Sequence, residues 1–197
     1  MPNATILRGY SSTDSKFEPV YTDGSNRLLV SGGTSGLEVA AQGFGDAVSV
    51  TRPDNTTAYT ANDVIGAAAG STAALAFALG DAAGEYLITS TSLEVDLAAV
   101  PSGMMSFRLH LYSVTPPSAL GDNVAWDLPA GDRASYLGYL DLGTPVDLGS
   151  TLFVQAEQVN KHITLASANL YGYLVTIGGH TPASETVAKI NLHSIRL

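Results

Sequence analysis

The sequence predicts an all-β protein, an antiparallel β-sandwich of jelly-roll type carrying an extended N-terminal arm. Three observations predict it. Residues 85–97 alternate with period two, the signature of a half-buried strand. Short apolar runs are separated along the chain by turn residues, with 20 Gly and 9 Pro in 197 residues, the pattern of sandwiches and barrels. The first 45 residues are instead rich in Gly, Ser, Thr, Asn and Asp, as in Gly9-Tyr10-Ser11-Ser12-Thr13-Asp14-Ser15, and their apolar residues come singly. Such a segment buries too little apolar area to offset its own ordering entropy, so it needs a partner. The domain reading is an arm over residues 1–45 and a β-sandwich over residues 46–197.

Within the arm, Pro19-Val20-Tyr21 and Arg27-Leu28-Leu29-Val30 flank Thr22-Asp23-Gly24-Ser25-Asn26. Asp-Gly supplies the positive φ of a hairpin loop, which predicts a small β-ribbon. Ser31-Gly32-Gly33-Thr34-Ser35-Gly36 reads as a linker. Tyr10, Phe17, Val20, Tyr21, Leu28, Leu29 and Val30 are the arm's apolar and aromatic residues available to a partner.

In the sandwich, residues 47–51 read as a strand that stops at Arg52-Pro53-Asp54-Asn55. Residues 61–84 fit a helix capped by Ser71 or a strand; Gly66, Gly70 and Gly80 argue against a long helix, and a strand over residues 74–79 is expected. In residues 85–97, Leu87, Thr89, Thr91, Leu93, Val95 and Leu97 share one phase. Phe107, Leu109 and Leu111 alternate with Arg108, His110 and Tyr112 until Thr115-Pro116-Pro117 ends the run. One helical turn is expected near residues 132–136, and further strands over 151–158, 170–177 and 186–197. In the last, Ala188, Ile190 and Leu192 keep phase while Ile195 and Leu197 resume one residue late, which predicts a β-bulge near Ser194 and an apolar face that runs to the last residue.

Composition excludes several function classes. With no cysteine there is no disulfide framework, thiolate metal site or cysteine nucleophile. The formal charge is -9, from 9 Lys+Arg against 18 Asp+Glu, and the cations never cluster; nucleic-acid and membrane-surface binding are both disfavoured. The opening residues lack a basic stretch followed by an apolar run, and no segment reaches the ~18 apolar residues of a membrane span. The expectation is a protein made in the cytoplasm. Only 14% of residues are charged against a typical ~25%, which suits equally a chain packed against other chains and a monomer with a sparsely charged surface.

Leu28-Leu29-Val30-Ser31-Gly32-Gly33-Thr34-Ser35-Gly36-Leu37-Glu38 has the look of a dinucleotide-binding turn. Glu38 stands where the last glycine is needed, no Tyr-x-x-x-Lys pair follows, and the downstream pattern is all strand, so the linker reading holds. The loop Gly121-Asp122-Asn123-Val124-Ala125-Trp126-Asp127-Leu128-Pro129-Ala130-Gly131-Asp132 holds the only Trp. Its Asp122, Asn123, Asp127 and Asp132 offer oxygens to an ion, and with the Trp126 face they also suit a sugar. The spacing is not that of a calcium loop, and the plainer reading is a long inter-strand loop with Trp126 packed beneath it. His110, His162 and His193 are isolated, no Gly-x-Ser-x-Gly elbow occurs, and no residue reads as catalytic. No cofactor is implied.

Two stretches carry a resemblance. Val50-Thr51-Arg52-Pro53-Asp54-Asn55-Thr56-Thr57-Ala58-Tyr59-Thr60-Ala61-Asn62-Asp63-Val64-Ile65-Gly66 resembles a segment that recurs in structural proteins of tailed bacteriophages. Met105-Ser106-Phe107-Arg108-Leu109-His110-Leu111-Tyr112 through Gly131-Asp132-Arg133-Ala134-Ser135-Tyr136-Leu137-Gly138 is similar to the same proteins, as is Asp147-Leu148-Gly149-Ser150-Thr151-Leu152-Phe153-Val154-Gln155. The arm, with Glu18-Pro19-Val20-Tyr21, looks like arms of phage head decoration (cement) proteins. The resemblance implies a non-enzymatic virion protein on the capsid surface, a homotrimer whose partner is the major capsid protein. A tail, neck or fibre component and a glycan-binding β-sandwich module are the alternatives.

Overall fold

A computed structural model describes residues 7–11, 16–22, 28–29, 42–67 and 72–197. The chain divides into two compact units, Met1–Ala40 and Ala41–Leu197. In the first, β1 (Leu7–Ser11), β2 (Lys16–Thr22) and β3 (Leu28–Leu29) form an antiparallel sheet in that order. The ribbon expected around Asp23-Gly24 is the β2–β3 pair, with Tyr21 opposite Leu29 and Thr22 opposite Leu28. The additional strand β1 pairs Tyr10 with Phe17 and Leu7 with Val20. Its apolar residues, Leu7 and Tyr10, are too sparse to announce a strand. Val30 and the Gly-rich residues 31–36 lie outside the described residues.

The second unit holds β4 (Gly43–Thr51), β5 (Val64–Ile65), β6 (Leu75–Phe77), β7 (Gly84–Val95), β8 (Phe107–Tyr112), β9 (Tyr136–Gly143), β10 (Val146–Asp147), β11 (Leu152–Leu165), β12 (Leu170–Thr176) and β13 (Val187–Arg196). No helix occurs among the described residues. One sheet runs β10-β11-β7-β13-β4; the other runs β5-β12-β8-β9, with β6 also on β12. Every pairing is antiparallel: β4 with β13, β5 and β6 with β12, β7 with β11, β8 with β9. First strand with last, second with second-last and so inward is a long ribbon rolled into two sheets, which is the jelly roll.

The two inner faces meet in one core. Ile88, Leu93, Ile190 and Leu192 come from the first sheet and Phe107, Leu109, Leu111 and Leu174 from the second, each at most 1% exposed. Burying a side chain of this size contributes about 1.5–3 kcal/mol. The outer face of the second sheet is covered too. Residues 113–135 cross it, and Val64, Tyr112, Tyr173 and Val175 form a second buried cluster with Leu120, Trp126 and Leu128 packed on it. Burial on both faces explains why β12 reads as a near-continuous apolar run instead of an alternation.

Several expectations require correction. Thr91, Leu93 and Val95 face the core as their phase requires, but upstream the buried residues are Tyr86 and Ile88, not Leu87 and Thr89. The phase changes at a bulge. His193 pairs with Ser90 and Ser194 with Ile88, so Thr89 is the extra residue. The bulge expected near Ser194 is present, with the register shift between His193 and Ser194, but its extra residue lies on β7, and β13 runs unbroken against β4 from Val187 to Ile195. Ser194 stays on the core side, 2% exposed, where its hydroxyl donates to the Leu79 carbonyl at 2.8 Å. A satisfied hydroxyl can occupy an apolar position at little cost. The apolar face accordingly stops at Leu192, and Leu197 is 64% exposed.

The segment 61–84 yields strand at Leu75–Phe77, with residues 68–71 outside the described residues. The turn near residue 132 forms, closed by Ser135 N and Tyr136 N donating to the Asp132 carbonyl, both at 3.1 Å. Strands β5, β9 and β10 were not legible. In β9 only Leu140 and Leu142 are core residues, and register shifts at both ends break its alternation.

Candidate functional site

The segment after β4 and the long loop after β8 meet around a buried ion pair. Arg52 directly follows β4, which Pro53 cannot continue. Its Nη2 lies 3.4 Å from Asp122 Oδ2, with both side chains 3% exposed. Asp122 Oδ1 accepts from Tyr59 OH at 2.6 Å and from Gly66 N at 2.9 Å. Arg52 Nε donates to the Tyr59 oxygen, and Nη1 donates to the Asn55 carbonyl at 3.0 Å. Burial, and then the Asp122 carboxylate, push the Tyr59 hydroxyl pKa well above its ordinary value. Position 66 must be glycine, because a Cβ there would lie 2.5 Å from the Ala73 Cβ and 3.1 Å from Asp122 N. Asp122 is therefore a structural anchor that ties the loop to the sandwich.

The loop's remaining candidates go to different places. Asn123 adopts φ +60, and with its amide oriented so that nitrogen faces the two acceptors it donates to Ala58 O at 3.2 Å and Asp63 Oδ2 at 3.1 Å. Exposed Asp127 accepts its neighbour Leu128 N at 2.8 Å. Asp132 is 1% exposed, with Oδ1 accepting from Ser118 N and Oγ at 3.2 Å and Oδ2 without a hydrogen-bond partner. The four polar side chains do not converge on one opening. Among the described residues no group of three or more His, Asp or Glu is placed to hold a metal ion.

Trp126 lies flat against His110, with ring centroids 3.6 Å apart and planes at 24°, and its Nε1 donates to Tyr112 OH at 3.2 Å. This is the packed tryptophan of the plainer reading. It also buries His110, which lies on the polar phase of β8 yet is 4% exposed, with Nδ1 2.9 Å from Tyr136 OH. Burial, followed by the Arg108 charge, lowers the His110 pKa to about 4. Burial raises the Tyr112 pKa to about 12.

Beside this stack, the structure assembles a group that sequence reasoning missed. Arg108 sits 4.1 Å over the Tyr139 ring and 3.4 Å from Asp141. Tyr139 is 47% exposed and borders a groove between β9 and β11 lined also by Asp141, Glu157, Asn160 and Lys161. The signal was hidden because β9 lacks alternation, so no strand placed Tyr139 and Asp141 on one face. His162 is exposed and 3.7 Å from Glu85. Burial holds the His180 pKa low, and its Nδ1 faces the Gly178 carbonyl at 3.4 Å. Among the described residues no histidine hydrogen-bonds both a hydroxyl nucleophile and a carboxylate.

No protein-family model and no curated protein matches the sequence. Among solved structures, the chain is similar to a chain of the Israel acute paralysis virus pentamer at 17% identity and TM-score 0.26, covering 77% of this chain and 86% of that one. A chain of the heated full particle of Israeli acute paralysis virus aligns at 13% identity and TM-score 0.27, covering 99% and 94%. One from the native Kashmir bee virus virion aligns at 12% identity and TM-score 0.26, covering 98% and 91%. Superpositions this loose carry no information on what the chain does.

Proposed function

We propose that the chain is a non-enzymatic virion structural protein: a phage capsid decoration protein that stabilises the head by binding across neighbouring capsid subunits. The observation that carries this reading is the division of the chain into a fully packed jelly roll and a separate small sheet in residues 1–40. The resemblance of residues 50–66 and 105–138 to phage virion proteins supports it. So does the side-chain chemistry, in which Asp122, His110 and Asp63 are committed to internal partners.

The partner is the major capsid protein, engaged by the arm through Tyr10, Phe17, Val20, Tyr21, Leu28, Leu29 and Val30, and the decorating unit is a homotrimer. Extended segments join a neighbour's sheet edge through backbone hydrogen bonds, gaining affinity without a preformed core. A protein that engages only one lattice state stabilises that state by mass action. Since the arm carries Arg8, Lys16 and Arg27 against Asp14, Glu18, Asp23 and Glu38, its contact is mainly apolar and backbone-mediated, and salt weakens it little.

Sedimentation of the purified protein with procapsids and with expanded heads, at low and high salt, tests this. Binding to expanded heads at both salt concentrations and little binding to procapsids is expected. Equal binding to the two lattices removes the stabilising mechanism, and binding to tails alone places the protein in the tail.

A further inference from the structure

The strand β11 departs from regular geometry at one place. Between the pairs Glu157–Ser90 and Lys161–Ile88 it has three residues, Gln158, Val159 and Asn160, against the single Thr89 of β7. Gln158 and Asn160 take φ +56 and +48, the left-handed region in which a non-glycine residue is strained. Both side chains are exposed, while Val159 between them is half-buried against the core. The irregularity also carries Glu157, Asn160 and Lys161 to the groove opposite Tyr139 and Asp141 of β9.

We propose that this groove is a saccharide-binding site selective for neutral sugars. Tyr139 supplies an aromatic face of the kind that stacks on the C–H face of a sugar ring, and it is held before any ligand arrives. Arg108 lies over one face of the ring at 4.1 Å and is itself tied to Asp141 at 3.4 Å, so the sugar would stack on what remains of a ring that is 47% exposed. Around it stand the groups that recognise hydroxyls: the Asp141 and Glu157 carboxylates as acceptors, the Lys161 ammonium as donor and the Asn160 amide as both. Lys161 reaches across to β9, where Gly138 at φ +89 leaves it room; a Cβ there would be 3.0 Å from its Nζ.

Charge selects within the class. At the groove the Asp141 and Glu157 carboxylates are matched by Lys161 and Arg108, so an anionic sugar gains no net local attraction, and the chain's formal charge of -9 repels sialylated, uronic or phosphorylated sugars. A peptide strand fits less well, because the bulge interrupts the ladder along which an added strand would pair. This site differs from the Trp126 loop and does not depend on where in a particle the protein sits.

The test is isothermal titration of the full chain with maltohexaose, cellohexaose, xylohexaose and chitohexaose, and with sialyllactose as the anionic control. At least one neutral oligosaccharide is expected to bind with a Kd of about 1 mM or tighter, and sialyllactose not to bind. Tyr139→Ala and Asn160→Gly should each weaken that binding at least tenfold. Because glycine adopts the left-handed conformation freely, Asn160→Gly should keep or raise the melting temperature, which separates lost recognition from lost folding. Failure of all four neutral probes, binding undiminished in both variants, or preference for sialyllactose would overturn the proposal.

Discussion

Arg52 and Asp122 show what a buried charge does in this protein. Each is 3% exposed, and each is held by further hydrogen bonds from or to Tyr59, Gly66 and Asn55. Removing one partner leaves the other charge uncompensated, so Asp122→Asn should cost about 3–5 kcal/mol. The double variant Arg52→Met/Asp122→Leu should lose less than the sum of the two single changes, because neither charge is then stranded. Chemical denaturation of the wild type, Asp122→Asn, the single variants Arg52→Met and Asp122→Leu, and the double variant reads both effects. His110 makes the fold pH-sensitive in the opposite sense from a salt-bridged histidine. Its folded pKa of about 4 lies below its ordinary 6.5, so between those values the unfolded chain binds the extra proton. Stability from this group is full above 6.5 and is lost as pH falls towards 4. The melting temperature should drop between pH 7 and pH 5, and His110→Gln should flatten that slope while buried His180, shifted the same way, retains part of it.

At the scale of elements, β13 separates what burial stabilises from what the sequence pattern suggests. Leu192 is fully buried and Leu197 is 64% exposed, although both are leucines on one strand pattern. Leu192→Ala should cost about 2–5 kcal/mol and Leu197→Ala within about 0.5 kcal/mol, measured by urea unfolding. The difference was not legible, because Ser194 reads as a break in an apolar face when it is a core residue whose hydroxyl meets the Leu79 carbonyl. The strands β7, β8, β11, β12 and β13 were legible where period two or a dense apolar run persisted. Register shifts erased the signal elsewhere: Thr89 moved the phase of β7, and the irregular ends of β9 hid the strand that carries Tyr139 and Asp141. Trp126 was readable as a packed loop residue. That His110 lies beneath it was not, since alternation alone cannot say that residues 113–135 will cover the outer face of a sheet.

For the whole molecule, the proposal divides labour between the packed unit Ala41–Leu197 and the polar residues 1–40. Limited proteolysis of the free protein should cut between Ser31 and Gln42, ahead of β4, and leave a resistant fragment of the sandwich; an uncut chain would contradict the division. Deleting residues 2–30 should leave the melting transition of the sandwich in place and abolish tight capsid binding. The most direct measurement is the copy number and position of the protein in purified particles, by quantitative mass spectrometry together with particle imaging. A head decoration protein repeats with the capsid lattice, so hundreds of copies distributed over the head surface are predicted. A few copies confined to the tail or neck, or absence from the particle, would contradict the account.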